Sequence, residues 1–190
     1  WNRRYAPEER VADQSLKARL KGKGYAVRSF NAALLTEPQT ITTGAGGPYK
    51  TYTPFWRTVR PKINGSAPLP APNPSKHSLS AFPSDALEDW DLTPDSPNWA
   101  AEFPEHWEPG EDGALAKLDE FLDSRIDGYV EGRDVPGEQA TSRLSPHLQF
   151  GEISPRQIVW AVTSQSDGKA AEKFLSEIGW REFAYHLLYH

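Results

Sequence analysis

Hydrophobic and polar residues recur at helical spacing through the last stretch of the chain, residues 174–190. At about 100° per residue, Phe174 and Arg181 fall on nearly the same line of such a helix. Glu177 and Trp180 fall on the stripe beside it. Such a helix could touch a planar cofactor with one face and a planar substrate with the other, although aromatic residues at this spacing most often pack in a core.

Residues 1–36 have the pattern of the tail of an α/β unit. A helix is predicted to begin near Pro7, which a first helical turn tolerates, and to end at Gly22, before a short strand at 25–30. The apolar positions of this helix recur at i, i+4 and i+8 and are Ala12, Leu16 and Leu20. The order of helix, glycine turn and strand favours a mostly parallel sheet.

Residues 111–190 have the pattern of a helical domain. The first apolar stripe has steps of three and four, which predicts one helix of about four turns. Its members are Leu115, Leu118, Leu122, Ile126 and Tyr129. A later helix should begin at Ser154 as its cap, with Pro155 in its first position. The residues of that helix predicted to lie in the core are Ile158, Trp160 and Val162.

A proline-rich segment separates these two parts, because 12 of the chain's 17 prolines lie between Pro48 and Pro109. This composition resists regular structure and predicts a long inter-domain linker over residues 37–110. Its large aromatic residues predict that the linker lies against a domain surface and is pinned there. They are Phe55, Trp56, Phe82, Trp90, Trp99, Phe103 and Trp107.

Composition narrows the classes of protein that remain. The chain has no cysteine, which excludes disulfides and thiolate metal sites, and no apolar run approaches the roughly 20 residues that a membrane span needs. It begins at Trp1 without Met and stops at His190 inside a predicted helix, which suggests an excerpt of a longer protein.

The net charge of −5 is unevenly distributed. Between Asp85 and Asp123 there are 13 acidic residues and one basic residue, whereas outside this window 20 basic residues face 13 acidic ones, a net of +7. The remainder of the chain is therefore mildly basic, which permits a polyanionic partner without requiring one.

Two candidate sites are rejected because residues that each site requires are missing. Residues 44–51 resemble a phosphate-binding loop, but Tyr49 replaces the glycine before the lysine and Pro48 removes a backbone donor. His186 and His190 have the i, i+4 spacing of a metal pair, but no further ligand completes a set. The sequence therefore predicts no metal site.

Residues 141–148 form a stronger candidate, because hydroxyls and an arginine precede a proline at a predicted helix start. Thr141, Ser142 and Ser145 could present hydroxyls, together with free backbone amides, to an anion. By itself the pattern is more often an ordinary capped helix without a ligand.

Five segments, occurring in order, resemble the DNA photolyase/cryptochrome family. They are Trp1-Asn-Arg-Arg-Tyr5, residues 49–56, Arg133-Asp134-x-Pro136, residues 141–156 and Glu177-Ile-Gly-Trp-Arg-Glu-Phe183. The resemblance spans nearly the whole chain and is greatest to class I cyclobutane pyrimidine dimer photolyases. It implies that residues 1–36 end an α/β antenna domain with a Rossmann-like parallel sheet. Residues 111–190 would then begin an all-α FAD-binding domain.

The resemblance also implies the roles of particular residues. Those matching FAD-contacting positions are Tyr129, Thr141, Ser142, Arg143, Leu144, Ser145, Phe174 and Arg181. Phe174 matches a position often held by Trp, so that ring stacking is kept but any indole N–H bond is lost. Arg133 matches a position that contacts DNA phosphate, and Glu177 and Trp180 match the residues that receive the damaged bases.

The activity implied is light-driven repair of cyclobutane pyrimidine dimers in UV-damaged DNA. The lesion would flip out of the duplex and pack against Trp180. Excited reduced FAD would donate an electron, the cyclobutane ring would split and the electron would return. Glu177 would hydrogen-bond the bases and, if protonated or suitably screened, stabilise the transient radical anion.

Three alternatives remain open: a cryptochrome that senses light without repair, a (6-4) photolyase and a generic helical binding domain. Glu177 together with Trp180 favours dimer repair, because many cryptochromes depart from the pattern at one or both positions. The (6-4) enzymes usually lack the glutamate.

The resemblance further allows an antenna chromophore, either a folate or a deazaflavin, and Glu9 lies near where a folate would be contacted. It also implies a monomer without membrane contact. This monomer would be located in the cytoplasm of a bacterial-type cell and associated with the nucleoid when bound to DNA.

Overall fold

The computed structural model describes residues 1–63, 65–71, 73 and 83–190. Within these ranges the α-helices are α1 (Pro7–Gly22), α2 (Tyr52–Val59), α3 (Phe103–His106), α4 (Glu111–Ser124), α5 (Tyr129–Gly132), α6 (Ser145–Phe150), α7 (Pro155–Gln165) and α8 (Lys169–Tyr189). Short 3₁₀ helices lie at Pro38–Thr40, Arg60–Lys62 and Leu87–Trp90. In the described part of the chain, no helix is both long enough and apolar enough to cross a membrane.

Helix α8 is the element on which the others pack. It contacts α2, α5, α7 and the 3₁₀ helix at Pro38–Thr40. Its buried residues are Ala171, Phe174, Leu175, Ile178, Gly179, Glu182, Phe183 and His186. The main hydrophobic core lies where α4, α5, α7 and α8 meet, and each large apolar side chain buried there contributes about 1.5–3 kcal/mol.

Helix α7 begins as the sequence predicts. The Ser154 hydroxyl accepts a hydrogen bond from the amide of Gln157 at 3.2 Å, and the Gln157 side chain accepts one from the amide of Ser154 at 2.8 Å. This reciprocal capping box satisfies two amides that the helix itself leaves unpaired. Of the predicted core residues, Ile158 and Val162 are buried and Trp160 is partly buried.

The predicted four-turn helix is in fact two helices, α4 and α5. Arg125 leaves helical geometry with φ −126°, and the Asp127-Gly128 pair that follows is typical of a turn. The apolar stripe nevertheless stays on one side, because four of its five members are buried and Leu115 is 37% exposed. The buried members are Leu118, Leu122, Ile126 and Tyr129.

At the N-terminal end the predicted helix forms, but the predicted strand does not. No residue of α1 is buried, so its predicted apolar stripe lies outside the described core. Residues 25–30 are extended, but within the described residues they make one isolated parallel bridge, between Asn2 and Phe30. A strand needs a partner along its length, and here the pairing is limited to the residues next to that bridge.

The proline-rich segment is more ordered than its composition predicts. It contains α2, where Phe55 is 1% exposed and Trp56 packs against the core. Further along, Trp90, Trp99 and Phe103 each expose more than half of their surface, so the predicted pinning fails there. Another aromatic residue predicted to pin the linker, Phe82, lies outside the described residues. The three domain boundaries stay predictions.

Helix α2 lies close to α8 because Gly179 has no side chain. A Cβ at Gly179 would lie 2.5 Å and 2.6 Å from two ring carbons of Trp56 and 2.8 Å from the hydroxyl of Tyr52. These distances are too short for any side chain to fit unless α2 moves away. The absence of a side chain at this one position therefore sets the distance between the two helices.

Replacing Gly179 by Ala should lower the free energy of unfolding by about 2 kcal/mol, because overpacking outweighs the gain in helix propensity. Chemical denaturation of the complete protein measures this change. Gly22→Ala is the matched control: Gly22 is also helical, but a Cβ there would meet nothing within 4 Å. The control should be neutral or stabilising by about 0.5–1 kcal/mol. Equal effects of the two substitutions would contradict the role given to Gly179.

Candidate functional site

Two of the predicted cofactor residues meet inside the core. Phe174 on α8 and Tyr129 on α5 are 3% and 6% exposed, and their rings pack edge to face with centroids 5.3 Å apart. Phe121 on α4 completes the group, 4.6 Å from Phe174 and 5.5 Å from Tyr129. This group ties three helices together, and it lies on the buried side of α8.

The predicted DNA-contacting residues Arg133 and Glu177 also meet. The guanidinium of Arg133 forms an ion pair with the carboxylate of Glu177, and Lys173, one turn earlier on α8, lies 3.1 Å from the same carboxylate. The carboxylate of Glu177 raises the pKa of Arg133 above its ordinary value. The side chains of both Arg133 and Glu177 are about a quarter exposed, so this cluster of charges lies at the surface.

Trp180 lies beside this cluster and is 48% exposed. One face of its indole is stacked on the ring of Tyr52 from α2, with centroids 3.8 Å apart and planes 12° apart. Phe183 approaches in an edge-to-face arrangement at 6.0 Å. A large aromatic side chain that is half exposed although it is stacked presents apolar surface to a partner.

The hydroxyl-rich segment 141–145 crosses the surface just before α6. Thr141 and Ser145 are exposed, while Leu144 is 2% exposed and packs in the same core cluster as Tyr129 and Phe174. Arg143 has φ 54°, in the left-handed region that a non-glycine residue rarely adopts. Such a backbone conformation costs about 1–2 kcal/mol, so the surrounding segment must hold it in place.

Arg181, the remaining predicted cofactor residue, lies about two turns after Phe174 on α8. Its guanidinium donates a hydrogen bond to the carbonyl of Ala33 at 2.7 Å and lies over the ring of Tyr185, 4.9 Å from the centroid. In this structure Arg181 therefore binds the segment that leads from residues 1–36 into the linker. Its predicted contact with FAD stays a prediction.

Glu182 and Arg156 bind the same segment. The carboxylate of Glu182 accepts hydrogen bonds from the amides of Leu35 at 2.8 Å and Thr36 at 3.2 Å, and Arg156 donates one to the carbonyl of Leu35 at 3.0 Å. Three ionisable side chains from α7 and α8 thus bind backbone groups of residues 33, 35 and 36. We call this group the 33–36 clamp.

Burial raises the pKa of Glu182 to about 7, although the backbone amides of Thr36 and Leu35 and the charge of Arg181 oppose the shift. Its side chain is 1% exposed, so removing the charge from water costs more than the surrounding donors return. Glu182 and Glu177 are both glutamates of α8, and only their surroundings distinguish them.

The histidines at 186 and 190 have structural contacts. The Nε2 atom of His186 accepts a hydrogen bond from the amide of Tyr49 at 3.0 Å, and His190 lies 3.3 Å from the carbonyl of Pro38. Among the described residues, no group of three His, Cys, Asp or Glu side chains could hold a metal ion.

Sequence reasoning missed Tyr52 and Glu182. Tyr52 belongs to a segment that is notable for its motif, but only the fold brings it to Trp180. Glu182 sits between Arg181 and Phe183 on a helix with charged residues on its surface, so its burial is not evident from the sequence. Glu9, predicted near an antenna chromophore, lies 3.9 Å from Arg4 and is 43% exposed.

The sequence of the chain is similar to those of known photolyases and a cryptochrome. A family model described as DNA photolyase matches residues 1–75. A deoxyribodipyrimidine photo-lyase of Agrobacterium fabrum is 47% identical over 194 residues, which cover all of this chain and 40% of that protein. Cryptochrome-2 of Arabidopsis thaliana is 30% identical over 203 residues, covering all of this chain and 33% of that protein.

Among solved structures, the crystal structure of a bacterial class III photolyase from Agrobacterium tumefaciens aligns with a TM-score of 0.84 and 44% identity. The alignment covers all of this chain and 40% of that one. The chain therefore spans about two fifths or less of the length of these relatives.

The raised pKa of Glu182 predicts that stability falls as pH rises. The unfolded chain releases this proton near pH 4.5, the ordinary pKa of a glutamate, whereas the folded protein keeps it until about pH 7. The free energy of unfolding should therefore decrease by about 2.5 kcal/mol between pH 5 and 8 through this group alone. Glu182→Gln cannot titrate, so the difference between the urea unfolding energies of wild type and variant should change with pH. A constant difference would contradict the assignment.

Proposed function

We propose that the chain belongs to the DNA photolyase and cryptochrome family and contributes to light-driven repair of cyclobutane pyrimidine dimers in DNA, because of its similarity to the photolyases and the cryptochrome described above. This is the activity of a deoxyribodipyrimidine photo-lyase, the name of the Agrobacterium fabrum relative. The assignment to class I is not supported, because the solved structure that aligns at 44% identity is of a class III photolyase. We therefore propose that the chain is closer to class III.

The observation that carries the proposal is the arrangement of three side chains at the surface of α8. Trp180 offers an open apolar surface, Glu177 offers a carboxylate one turn earlier, and Arg133 lies against that carboxylate. A base flipped out of DNA needs a stacking surface and a hydrogen-bonding group, and its backbone needs a cation. The three residues supply one of each.

The residues predicted to hold FAD fit its polar part. Thr141, Ser142 and Ser145 provide hydroxyls on a segment that the burial of Leu144 anchors, and a diphosphate is an acceptor for such donors. Tyr129 and Phe174 are packed against each other on the inner side of α8, so only the edges of their rings would contact a bound flavin. When bound, the flavin would supply the light-driven electron for splitting the lesion.

The chain's own residues would bind and orient the lesion. Trp180 would pack against the two joined bases, and Glu177 would accept hydrogen bonds from their N–H groups. Arg133 and Lys173 already screen the charge of Glu177, which lets a carboxylate lie close to a lesion that gains negative charge. Arg133 would exchange this ion pair for a DNA phosphate, and Lys173 would then remain as the counter-charge of Glu177.

Cryptochrome-type light sensing is the second candidate, since a plant cryptochrome is 30% identical to the chain. The presence of both Glu177 and Trp180 favours repair over sensing and over the (6-4) lesion. We also propose a monomer that acts on UV-damaged DNA in the bacterial cytoplasm and at the nucleoid, with a folate or deazaflavin antenna.

Replacing Trp180 by Ala should weaken binding to a duplex with one thymine dimer by about 1–3 kcal/mol, about 5- to 150-fold. Affinity for the same undamaged duplex should change little, because backbone contacts dominate it. Both constants are measured by titration of the FAD-loaded complete protein in the dark. Light-dependent loss of the dimer, followed by chromatography, tests repair itself. Wild-type protein that binds FAD and leaves the dimer intact in light would refute repair and favour light sensing.

Replacing Glu177 by Gln should tighten binding to undamaged DNA by about three- to tenfold at low salt, because it leaves Arg133 and Lys173 without their counter-charge. The preference for dimer-containing DNA and the repair rate should both fall. Both effects follow from removing one carboxylate.

The matched control for this variant is Glu120→Gln. Glu120 on α4 also pairs with a lysine and an arginine, Lys117 and Arg125, but α4 carries no residue assigned to DNA. The control has the same change in net charge and should bind undamaged DNA nearly as wild type does. Equal tightening in both variants would attribute the effect to net charge alone and remove Glu177 from the DNA surface.

A further inference from the structure

We infer that Tyr52 is a positioning residue for Trp180, which supports one face of the indole so that the opposite face is presented to a base flipped out of DNA. This inference rests on the proposed function, because it takes Trp180 to be the stacking surface for the lesion. It adds a residue of α2, in the proline-rich segment predicted to be a linker, to a site otherwise built from α5 and α8.

The rings of Tyr52, Trp56 and Trp180 are stacked. Tyr52 lies between the others, 3.8 Å from Trp180 and 6.2 Å from Trp56, with interplanar angles of 12° and 13°. The indole of Trp180 therefore rests on a layer of aromatic rings. One face is covered, and the side chain is nevertheless 48% exposed.

Tyr52 is fixed at its other end as well. Its hydroxyl donates a hydrogen bond to the carbonyl of Ser176 at 2.6 Å, one turn before Trp180 on the same helix. Burial raises the pKa of Tyr52 to about 12, so the hydroxyl keeps its proton and remains a donor at any physiological pH. Tyr52 therefore contacts α8 at two points, through its stacked ring and through its hydroxyl.

An exposed tryptophan without such support would occupy several rotamers, since its side chain has two rotatable bonds. If binding has to order the stacking side chain, the free-energy cost of that ordering lowers the affinity. Contact with Tyr52 orders the indole of Trp180 before DNA binds. Rigid aromatic residues are effective in binding sites because they lose little conformational entropy on binding.

Anchoring of α2 to α8 does not itself require Tyr52. Phe55 is 1% exposed and packs against Phe183 and His186 with centroids 5.2 Å and 5.1 Å apart, so it already fastens α2. A conservative substitution of Phe55 therefore reports weaker packing of α2 on α8, whereas a substitution of Tyr52 reports the loss of support for Trp180. The effects of the Phe55 and Tyr52 substitutions on DNA binding can be compared directly.

The experiment is a double-mutant cycle on the FAD-loaded complete protein in the dark, with Tyr52→Ala, Trp180→Ala and both together. Dissociation constants are measured for a duplex with one thymine dimer and for the undamaged duplex. Tyr52→Ala should weaken dimer binding about tenfold, in the range of one base–aromatic stack, and leave undamaged binding unchanged. In the Trp180→Ala background it should have no further effect.

Two further variants separate positioning from folding. Tyr52→Phe keeps the ring and loses only the bond to Ser176, so it should retain most of the affinity that Tyr52→Ala loses. Phe55→Leu keeps an apolar side chain at the contact between α2 and α8, so it should lower thermal stability while α2 stays in place. It should therefore leave the ratio of dimer to undamaged affinity as in wild type. At saturating DNA, the light-dependent repair rate of Tyr52→Ala should match wild type, because the bound lesion is still placed by Trp180.

Equal losses from Tyr52→Ala in the presence and absence of Trp180, or an unchanged dimer affinity, would overturn the inference. If Trp180→Ala itself leaves the preference for dimer DNA intact, the assignment of Trp180 to the lesion fails, and Tyr52 fails with it. If Trp180→Ala removes that preference and Tyr52→Ala does not, only the positioning role is refuted.

Discussion

The close contact between α2 and α8 is the constraint on which the candidate site depends. It exists because residue 179 is a glycine, which lets the rings of Tyr52 and Trp56 lie directly against the α8 backbone. In this position of α2, its aromatic rings cover one side of α8, and Trp180 stacks on one of them, that of Tyr52. A larger residue at 179 would separate the helices and remove that support.

The two glutamates of α8 illustrate how the surroundings of a side chain decide its chemistry. Glu177 lies near the surface, where its carboxylate forms ion pairs with Arg133 and Lys173. Glu182, little more than a turn later, is buried and accepts hydrogen bonds from the backbone amides of Leu35 and Thr36, and burial raises its pKa to about 7. The first is suited to a ligand, whereas the second joins the N-terminal part of the chain to the helical core.

Sequence reasoning was most successful where the interaction is local. The helix cap at Ser154 and the start of α1 at Pro7 follow from neighbouring residues, and both form as predicted. It failed where the outcome depends on distant partners. The strand at 25–30 does not form because its pairing is confined to one bridge, and the single helix predicted from Leu115 to Tyr129 breaks at a turn.

The sequence by itself determined which residues are candidates and on which stripe of α8 each lies, since helical periodicity fixes their angular order. That order placed Phe174 on one stripe and Glu177 with Trp180 on the next, and the structure buries the first and leaves the others at the surface. Only the tertiary structure decided their partners: Tyr129 for Phe174, Arg133 for Glu177, Tyr52 for Trp180 and Ala33 for Arg181. These contacts join residues that are distant along the chain, and periodicity within one helix carries no information about which distant residue will arrive there.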